Sequence, residues 1–284
     1  MNNPYELIRI QQLMKKTKGS KKIKIGLIDG PVQSSHKLLQ SADITLLGNA
    51  TCITQNSSCT HGTFMAGILA GTQGSGAPGI CPVCPLLIRS VFNESNTSGI
   101  PVTSTLKELS KAILETIDAG AKIINLSLGT ITPQLSDYPP LYQTLDYAFQ
   151  KHVLIFAASG NQGRIGVIPL TNHPWIIPVA ACDITGHPYS KNNLGITIGK
   201  KGILAPGVNI TSTIPLDKLT TMSGTSVAVP FASATAALLW SIYPDATARD
   251  IHKVILLPTH PRKSIIPPLI DGEESYRLLK NIFE

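Results

Sequence analysis

Short apolar runs alternate with longer segments of helical periodicity along most of this chain. Runs that predict strands lie at 22–28, 86–91, 122–126, 153–158, 176–181 and 203–205. Apolar residues at three- and four-residue spacing predict helices over 63–70, 103–119, 141–151, 225–243, 247–256 and 273–282. Such short, fully apolar runs are typical of strands buried on both faces of a sheet. Strands that alternate with helices form βαβ units. We therefore predict a three-layer α/β fold, with a mostly parallel sheet and helices on both faces.

The length and charge of the chain limit what else it can be. Its 284 residues fit one domain, which we place at 22–284, after a basic N-terminal extension at 1–21. Residues 1–24 hold seven basic side chains and one acidic side chain, so they carry +6 of the net charge of +7. We interpret this segment as a solvated lead-in to the first strand; the alternative is an arm that steers an acidic peptide or touches anionic lipid. The remainder is nearly neutral, and we expect no nucleic-acid partner.

Apolar stretches that could direct the chain to a membrane are not apparent in the sequence. Residues 1–22 lack the 7–15-residue apolar run of a secretory signal. No stretch reaches the ~18 apolar residues of a membrane span, because Pro230, Ser233 and Thr235 interrupt the longest one. We expect a soluble, cytoplasmic protein without a membrane partner.

Five cysteines are unusual for a cytoplasmic protein. Cys81-x-x-Cys84 could form half of a zinc site, with Cys52 and Cys59 as the other half. The spacing of Cys52 and Cys59 is not that of a standard zinc pair, so free thiols or a disulfide that locks a loop fit the pattern better. We expect no metal and no cofactor.

The strongest local motif is Ser223-Gly-Thr-Ser-Val-Ala-Val-Pro230, which leads directly into an apolar helix. It places Ser226 in the first turn, where unpaired N–H groups and the positive end of the helix dipole favour a negative charge. An ordinary N-cap serine is the alternative interpretation of this motif alone.

Two further polar residues sit where a site would be expected. Asp29 ends the first apolar run, and His61-Gly62-Thr63 opens a second predicted helix. A buried carboxylate needs a partner, and an imidazole N–H is a suitable one. In open α/β sheets, ligands bind beyond the carboxyl ends of the strands, where Asp29 and the post-strand residue Asn161 are expected.

At these positions the chain resembles the subtilisin-like serine proteases (family S8). The resemblance rests on six blocks in family order: Ile28-Asp-Gly30, His61-Gly-Thr63, Asn125-Leu-Ser-Leu-Gly129, Ala158-Ser-Gly-Asn161, Leu204-Ala-Pro-Gly207 and Gly224-Thr-Ser226. It implies a serine endopeptidase in which Ser226 attacks the scissile carbonyl, His61 carries the proton and Asp29 orients the imidazole.

The resemblance also implies residues that bind the substrate. Asn161 and the Ser226 N–H would form the oxyanion hole. The segment of Ser127, Leu128 and Gly129 would pair with the substrate backbone as an added strand, and Gly160 would line the same cleft. The loop at 72–78 lacks the Asn and Asp residues that bind calcium in secreted members, so no obligatory calcium is expected.

Three other histidines are interpreted as outside the site. The position of His36 is usually structural in the family that this chain resembles. His173 and His187 lie in proline-rich loops and are predicted to be surface residues.

Within this family, the turn Asp29-Gly-Pro-Val32 departs from the usual Asp-Ser/Thr-Gly and is similar to the leader-peptide proteases of cyanobactin biosynthesis. Their macrocyclising counterparts carry a helical insertion between Asp and His that shields the acyl-enzyme. Asp29 and His61 are 32 residues apart, which leaves no room for it, so hydrolysis is expected.

The partner would be a peptide or protein substrate, possibly a precursor peptide. A general intracellular subtilisin and a catalytically silent peptide-binding module are the alternatives.

Overall fold

Seven parallel strands form the central sheet of the computed structural model, which describes residues 3–52, 56–92, 104–128, 139–256 and 264–284. In spatial order they are β2, β3, β1, β4, β5, β6 and β7. Their bounds are β1 Ile25–Asp29, β2 Ile44–Leu47, β3 Leu86–Ser90, β4 Ile123–Leu126, β5 Leu154–Ala158, β6 Ile176–Cys182 and β7 Ile203–Pro206; β8 Ile210–Ile214 and β9 Lys218–Met222 form a separate antiparallel hairpin. All six pairings within the large sheet are parallel, so the predicted sheet is confirmed.

Helices cover both faces of this sheet, as the alternating pattern predicts. They are α1 Pro4–Leu7, α2 Gln11–Lys16, α3 Ser57–Ala70, α4 Leu106–Asp118, α5 Pro139–Gln150, α6 Pro169–Asn172, α7 Ile196–Lys201, α8 Thr225–Ile242, α9 Ala248–Leu256 and α10 Gly272–Phe283. Helices α3 and α8 pack against each other on one face, and α4 packs against α5 on the other. The three-layer α/β fold is therefore confirmed.

The main core contains residues of the sheet together with residues of α3, α4, α5 and α8. Every residue of β1, β3, β4, β5, β6 and β7 is buried, which explains why their sequences are almost wholly apolar. By length and composition, α8 alone among the described helices could cross a membrane, and 83% of that stretch is buried inside the protein.

The basic N-terminal segment is docked onto the domain. Ile8, Ile10 and Leu13 are at most 1% exposed and belong to the main core, whereas the lysines of α2 are exposed. Arg9 forms ion pairs with Asp271 and Glu273 near the start of α10. The lysines are solvated as expected, but the segment is not a detached lead-in; the division at residues 21 and 22 stays a prediction.

Two parts of the fold were not predicted from the sequence. Strand β2 lies at the edge of the sheet and is only half-buried, so it lacks the apolar signature of the other strands. Four of the ten residues in the two strands of the β8–β9 hairpin are threonines, and β8 packs on α3. The predicted cap Thr103 lies outside the described residues; α4 begins at Leu106, and its N-cap is Thr105.

The cysteines divide into a disulfide and three free thiols. Cys52 and Cys59 are bonded to each other, so they are not available as half of a zinc site. Cys81, Cys84 and Cys182 are free and buried.

Candidate active site

Asp29 is the last residue of β1, which lies between β3 and β4 in the sheet, and is fully buried. Its Oδ1 accepts hydrogen bonds from the Gly30 N–H at 2.6 Å and from His61 Nδ1 at 2.7 Å. Its Oδ2 is buried and has no hydrogen-bond partner among the described residues. Gly30 has no side chain and Pro31 has no N–H, so these two residues add no donor beyond the Gly30 N–H. Among the described residues, the carboxylate is therefore stabilised by two hydrogen bonds to Oδ1, from the Gly30 N–H and from His61 Nδ1.

His61 lies in the second turn of α3, not at its start. The helix begins at Ser57, and Asn56 caps it by accepting the Cys59 N–H at 2.9 Å. Two glycines allow α3 to approach β1 closely. A Cβ on Gly30 would lie 2.0 Å from the Ser58 carbonyl oxygen, and a Cβ on Gly62 would lie 2.4 Å from the Gly30 carbonyl oxygen. These contacts bring the imidazole to Asp29.

The imidazole bridges Asp29 and Ser226. Its Nδ1 contacts the carboxylate and its Nε2 lies 3.0 Å from Ser226 Oγ. Because a carboxylate only accepts, Nδ1 carries the proton and Nε2 is free to accept from the Ser226 hydroxyl. Burial lowers the pKa of His61, but the charge of Asp29 and the hydrogen bond to it raise the pKa, which lies above its ordinary value. The structure thus joins a carboxylate, an imidazole and a hydroxyl from three distant segments in one chain of hydrogen bonds.

Ser226 is the second residue of α8, so its N–H has no carbonyl partner within the helix. Its own carbonyl is also released, because Pro230, four residues later, has no N–H to donate. Ser127 Oγ donates to that carbonyl at 3.0 Å and accepts from Asn125 Nδ2 at 2.7 Å. Ser233 Oγ in turn donates to Asn125 Oδ1 at 2.9 Å. The start of α8 is therefore tied to β4 through side chains.

Asn161 faces the same helix start from the loop after β5. Its Oδ1 accepts the Thr225 N–H at 2.8 Å. That contact fixes the orientation of the carboxamide, because an N–H must face the oxygen, and it leaves Nδ2 as the free donor. A Cβ on Gly224 would lie 3.2 Å from Nδ2 and 3.5 Å from Ser226 Oγ, so the amide and the hydroxyl flank the same small space. Nδ2 can therefore donate to an oxyanion that forms beside Ser226.

The substrate segment predicted from the sequence is only partly visible. Ser127 and Leu128 follow β4 directly and are buried, at 3% and 7% exposed. Gly129 lies outside the described residues. The Ser127 hydroxyl is occupied by α8, so this residue can contact a substrate only through its backbone. Gly160 lies beside Asn161 and adopts a φ of +98°, and its N–H donates to Thr225 Oγ1 at 3.1 Å.

Sequence patterns alone did not identify Asn125 and Thr225 as parts of this site. Asn125 interrupts an apolar strand and opens one of the blocks of family resemblance, and these two signals could have marked it. Thr225 is fully buried and contacts the loop after β5, residues 159–167, which we call the oxyanion loop. Its N–H donates to Asn161, and its hydroxyl accepts from Gly160. Its neighbour Ser226 has the more recognisable side chain.

The other histidines lie apart from this site. His36 is buried: its Nδ1 accepts the Leu38 N–H, and its Nε2 is 3.3 Å from the Lys218 carbonyl oxygen. His187 is exposed, as predicted. The prediction for His173 is wrong, because it is 2% exposed and contacts Asp146 at 3.3 Å. The described residues contain no group of three or more His, Cys, Asp or Glu placed to hold a metal ion.

Comparison of the sequence with known proteins identifies similarity to the subtilase family. The Subtilase family model matches residues 20–265. Subtilisin DY of Bacillus licheniformis is 29% identical over 238 residues, which cover 81% of this chain and 80% of that protein. The thermophilic serine proteinase of Bacillus sp. strain AK1 is 33% identical over 234 residues, which cover 79% of this chain. The chain spans only 54% of the length of the latter relative.

Solved structures give a second comparison. The prenylagaramide maturation protease PagA has a TM-score of 0.83 and 28% identity, covering 95% of this chain and 98% of that one. The patellamide maturation protease PatA has a TM-score of 0.80 and 31% identity, covering 93% of this chain and 98% of that one. The PatG macrocyclase domain shares the fold, with a TM-score of 0.83 and 20% identity over 95% of each chain.

Proposed function

The chain belongs to the subtilase family of serine endopeptidases, and we propose that it hydrolyses a precursor peptide with Asp29, His61 and Ser226 as its catalytic triad. The single observation that carries the assignment of these residues is the relay of 2.7 Å and 3.0 Å contacts through His61. Distances of this size are within hydrogen-bond reach for nucleophile and base.

The proposed reaction follows from the protons and donors on these atoms. Ser226 Oγ attacks the scissile carbonyl carbon while Nε2 of His61 takes the hydroxyl proton. The imidazolium that forms is stabilised by the buried carboxylate of Asp29. The carbonyl oxygen becomes an oxyanion and accepts from Asn161 Nδ2 and the Ser226 N–H. His61 then gives its proton to the leaving amine, and an acyl-enzyme remains on Ser226.

Water is the proposed acceptor of this acyl group. The His61 side chain is 30% exposed, so solvent can approach Nε2, which activates it. Between Asp29 and the start of α3, the described residues contain the edge strand β2 and no helix that could cover the acyl-enzyme. Both observations support hydrolysis over transfer to a peptide amine.

A precursor peptide is proposed as the substrate because of the similarity to PagA and PatA, whose names describe maturation proteases. The peptide would lie along Ser127, Leu128 and Gly129 as an added strand and pass beside Gly160. Subtilisin DY is similar to this chain at a comparable identity of 29%, so a general intracellular subtilisin that degrades or trims proteins is the second candidate.

Two measurements test these proposals in turn. The purified chain and Ser226→Ala are treated with a fluorophosphonate probe, and labelling of the wild type alone is expected. A wild type that stays unlabelled would instead indicate the peptide-binding module.

Cleavage is then mapped by mass spectrometry on unfolded casein and on a panel of precursor peptides. A single cut between leader and core supports maturation, whereas broad cleavage of casein overturns it.

A cytoplasmic location is also proposed, and the cysteines provide its test. The three free thiols Cys81, Cys84 and Cys182 suit a reducing compartment, whereas the Cys52–Cys59 disulfide is more common in an oxidising one. Thiols trapped in intact cells with N-ethylmaleimide would show which state prevails. Recovery of the protein in a periplasmic or extracellular fraction would contradict this location.

A further inference from the structure

One buried side chain, Asn193, holds the loop that presents Asn161. Asn193 is 6% exposed. Its Oδ1 accepts the N–H groups of Gln162 at 3.1 Å and Arg164 at 3.0 Å, and its Nδ2 donates to Gln162 Oε1 at 2.6 Å. Its own N–H donates to the Gly160 carbonyl oxygen at 2.8 Å. These hydrogen bonds fix the backbone before Asn161, at Gly160, and after it, at Gln162 and Arg164.

Backbone hydrogen bonds also hold this loop further from Asn161: the Gly163 N–H donates to the Lys191 carbonyl oxygen at 2.9 Å, and the Leu194 N–H donates to the Arg164 carbonyl oxygen at 2.8 Å. Residues 161–167 are exposed or nearly so, and they do not pack into the core. Gly160 and Gly163 adopt φ angles of +98° and +64°, in the left-handed region that glycine reaches without strain. A Cβ on Gly160 would lie 2.3 Å from Asn193 Nδ2, so the missing side chain is what admits the carboxamide.

Asn161 is thus held from two directions. On the α8 side, the Thr225 N–H binds Asn161 Oδ1, and Thr225 Oγ1 accepts the Gly160 N–H. On the far side, Asn193 fixes the backbone that carries Asn161. We propose that Asn193 is a positioning residue of the oxyanion hole, acting on catalysis through Asn161 without touching the substrate. This inference rests on the proposed function of Ser226 and Asn161.

Its neighbour offers a matched control. Asn192 is 3% exposed, and its carboxamide also binds backbone: Oδ1 accepts the Ala181 N–H at 2.9 Å, and Nδ2 donates to the Ala181 carbonyl oxygen at 2.8 Å. Those bonds end on β6 and not on the oxyanion loop. If Asn193 were merely structural, removal of either carboxamide would have the same consequences.

The test is a double-mutant cycle read by the second-order rate constant of fluorophosphonate labelling, since phosphonylation builds negative charge on the same oxygen position. Asn161→Ala is expected to slow labelling about 10²–10³-fold. Asn193→Ala is expected to slow it about 10–50-fold, because a displaced donor loses most of its effect. Asn192→Ala should lower Tm as much as Asn193→Ala does and leave the labelling rate within about twofold of wild type.

The double variant Asn161→Ala/Asn193→Ala should label within about threefold of Asn161→Ala alone, because Asn193 has no donor left to position. Full multiplication of the two effects would overturn the proposal, as would an equal loss of rate in Asn192→Ala. Absence of labelling in the wild type would instead overturn the proposed function, and this inference with it.

A conservative variant keeps the proposal testable if Asn193→Ala does not fold. Asn193→Asp retains the acceptor for the Gln162 and Arg164 N–H groups, and the Gln162 amide can rotate to present its own donor. We expect this variant to recover labelling to within about fivefold of wild type. A folded Asn193→Asp that labels as slowly as Asn161→Ala would contradict the role assigned to these hydrogen bonds.

Discussion

The helices that present His61 and Ser226 are held in place by different physical means. The start of α8 is held by directional hydrogen bonds, from Ser127 to the Ser226 carbonyl and from Thr225 to Asn161. The start of α3 is held by close backbone contact across Gly30 and by the Cys52–Cys59 disulfide.

This difference matches what each end of the relay must do. The proposed nucleophile, Ser226, is half-buried, and oriented donors beside it can both fix the helix and meet a developing charge. Asp29 is fully buried, so the base is supported by a tightly packed wall that keeps water from the carboxylate. Changes on the α8 side should therefore alter hydrogen bonding, whereas changes on the α3 side should alter the imidazole's position and pKa.

The largest effect is expected from Asp29→Asn. Loss of the carboxylate removes the acceptor that fixes the Nδ1–H tautomer, and kcat should fall about 10⁴-fold. Both influences that raise the pKa of His61 also disappear, and burial alone lowers it. The acid limb of kcat/KM, measured from pH 5 to 9, should therefore move to lower pH. The matched control is Asp146→Asn, which removes the carboxylate beside His173 and should leave kcat unchanged.

The same pair should make stability depend on pH. Folded His61 binds its proton more tightly than the unfolded chain does, since its pKa is raised. This contribution is fully present below about pH 6.5, the pKa of an unfolded histidine, and is lost as the pH rises through the folded value. In chemical denaturation between pH 5 and 8, the contribution of His61 to the free energy of unfolding should fall with rising pH in the wild type and rise with pH in Asp29→Asn, where burial alone lowers the pKa of His61. If the free energy of unfolding depended on pH in the same way in both proteins, His61 would be excluded as the source of that dependence.

A smaller loss is expected from Gly62→Ala. The new Cβ would lie 2.4 Å and 2.5 Å from the carbonyl oxygens of Gly30 and Pro31, which are backbone atoms, so α3 must move. Overpacking of this kind costs about 1–3 kcal/mol of stability, and displacement of the imidazole by about 1 Å can lower kcat about 10²-fold. Gly76→Ala is the control, because its Cβ would meet only the end of the Leu219 side chain. Equal effects in the two variants would argue against close packing as the cause.

On the α8 side, Ser127→Ala should lower the free energy of unfolding by about 1–3 kcal/mol, because the Ser226 carbonyl loses its donor. We expect kcat to fall about tenfold as the start of α8 loosens. Pro230→Ala sharpens the test, since its restored N–H can donate to that carbonyl. The double variant should regain most of the stability lost in Ser127→Ala. Identical losses in both backgrounds would show that the carbonyl was not the cause.

The smallest effect on activity is expected from the disulfide. Cleavage of the Cys52–Cys59 bond opens a short loop and should destabilise the fold by about 2–3 kcal/mol by chain entropy. Asn56 still caps α3, so kcat should change only a few-fold. Thermal unfolding with and without a reductant measures the shift. Cys52→Ala/Cys59→Ala is the control and should be insensitive to reductant; a shift that persists there would point to other thiols.

Local patterns were sufficient for the general architecture. The apolar runs gave the strands of the parallel sheet from β1 to β7 except β2, because burial on both faces leaves a direct record in composition. Strand β2 and the β8–β9 hairpin were missed. Strand β2 is only half-buried and β9 is largely exposed, so neither needs the fully apolar sequence that marks a buried strand. The burial of His173 was also missed, because its cover comes from Asp146 and Tyr142 on another helix.

For the site, the sequence by itself determined which side chains have the chemistry: Asp29, His61, Asn161 and Ser226 stand in recognisable blocks. Only the tertiary structure decided how they are held. The Ser127 hydroxyl turns to a carbonyl 99 residues away, and Asn193 grips a loop 31 residues before it. Such bonds join segments that are distant along the chain, and neither periodicity nor local propensity encodes them. Motifs therefore gave the reacting groups, and long-range packing set their geometry.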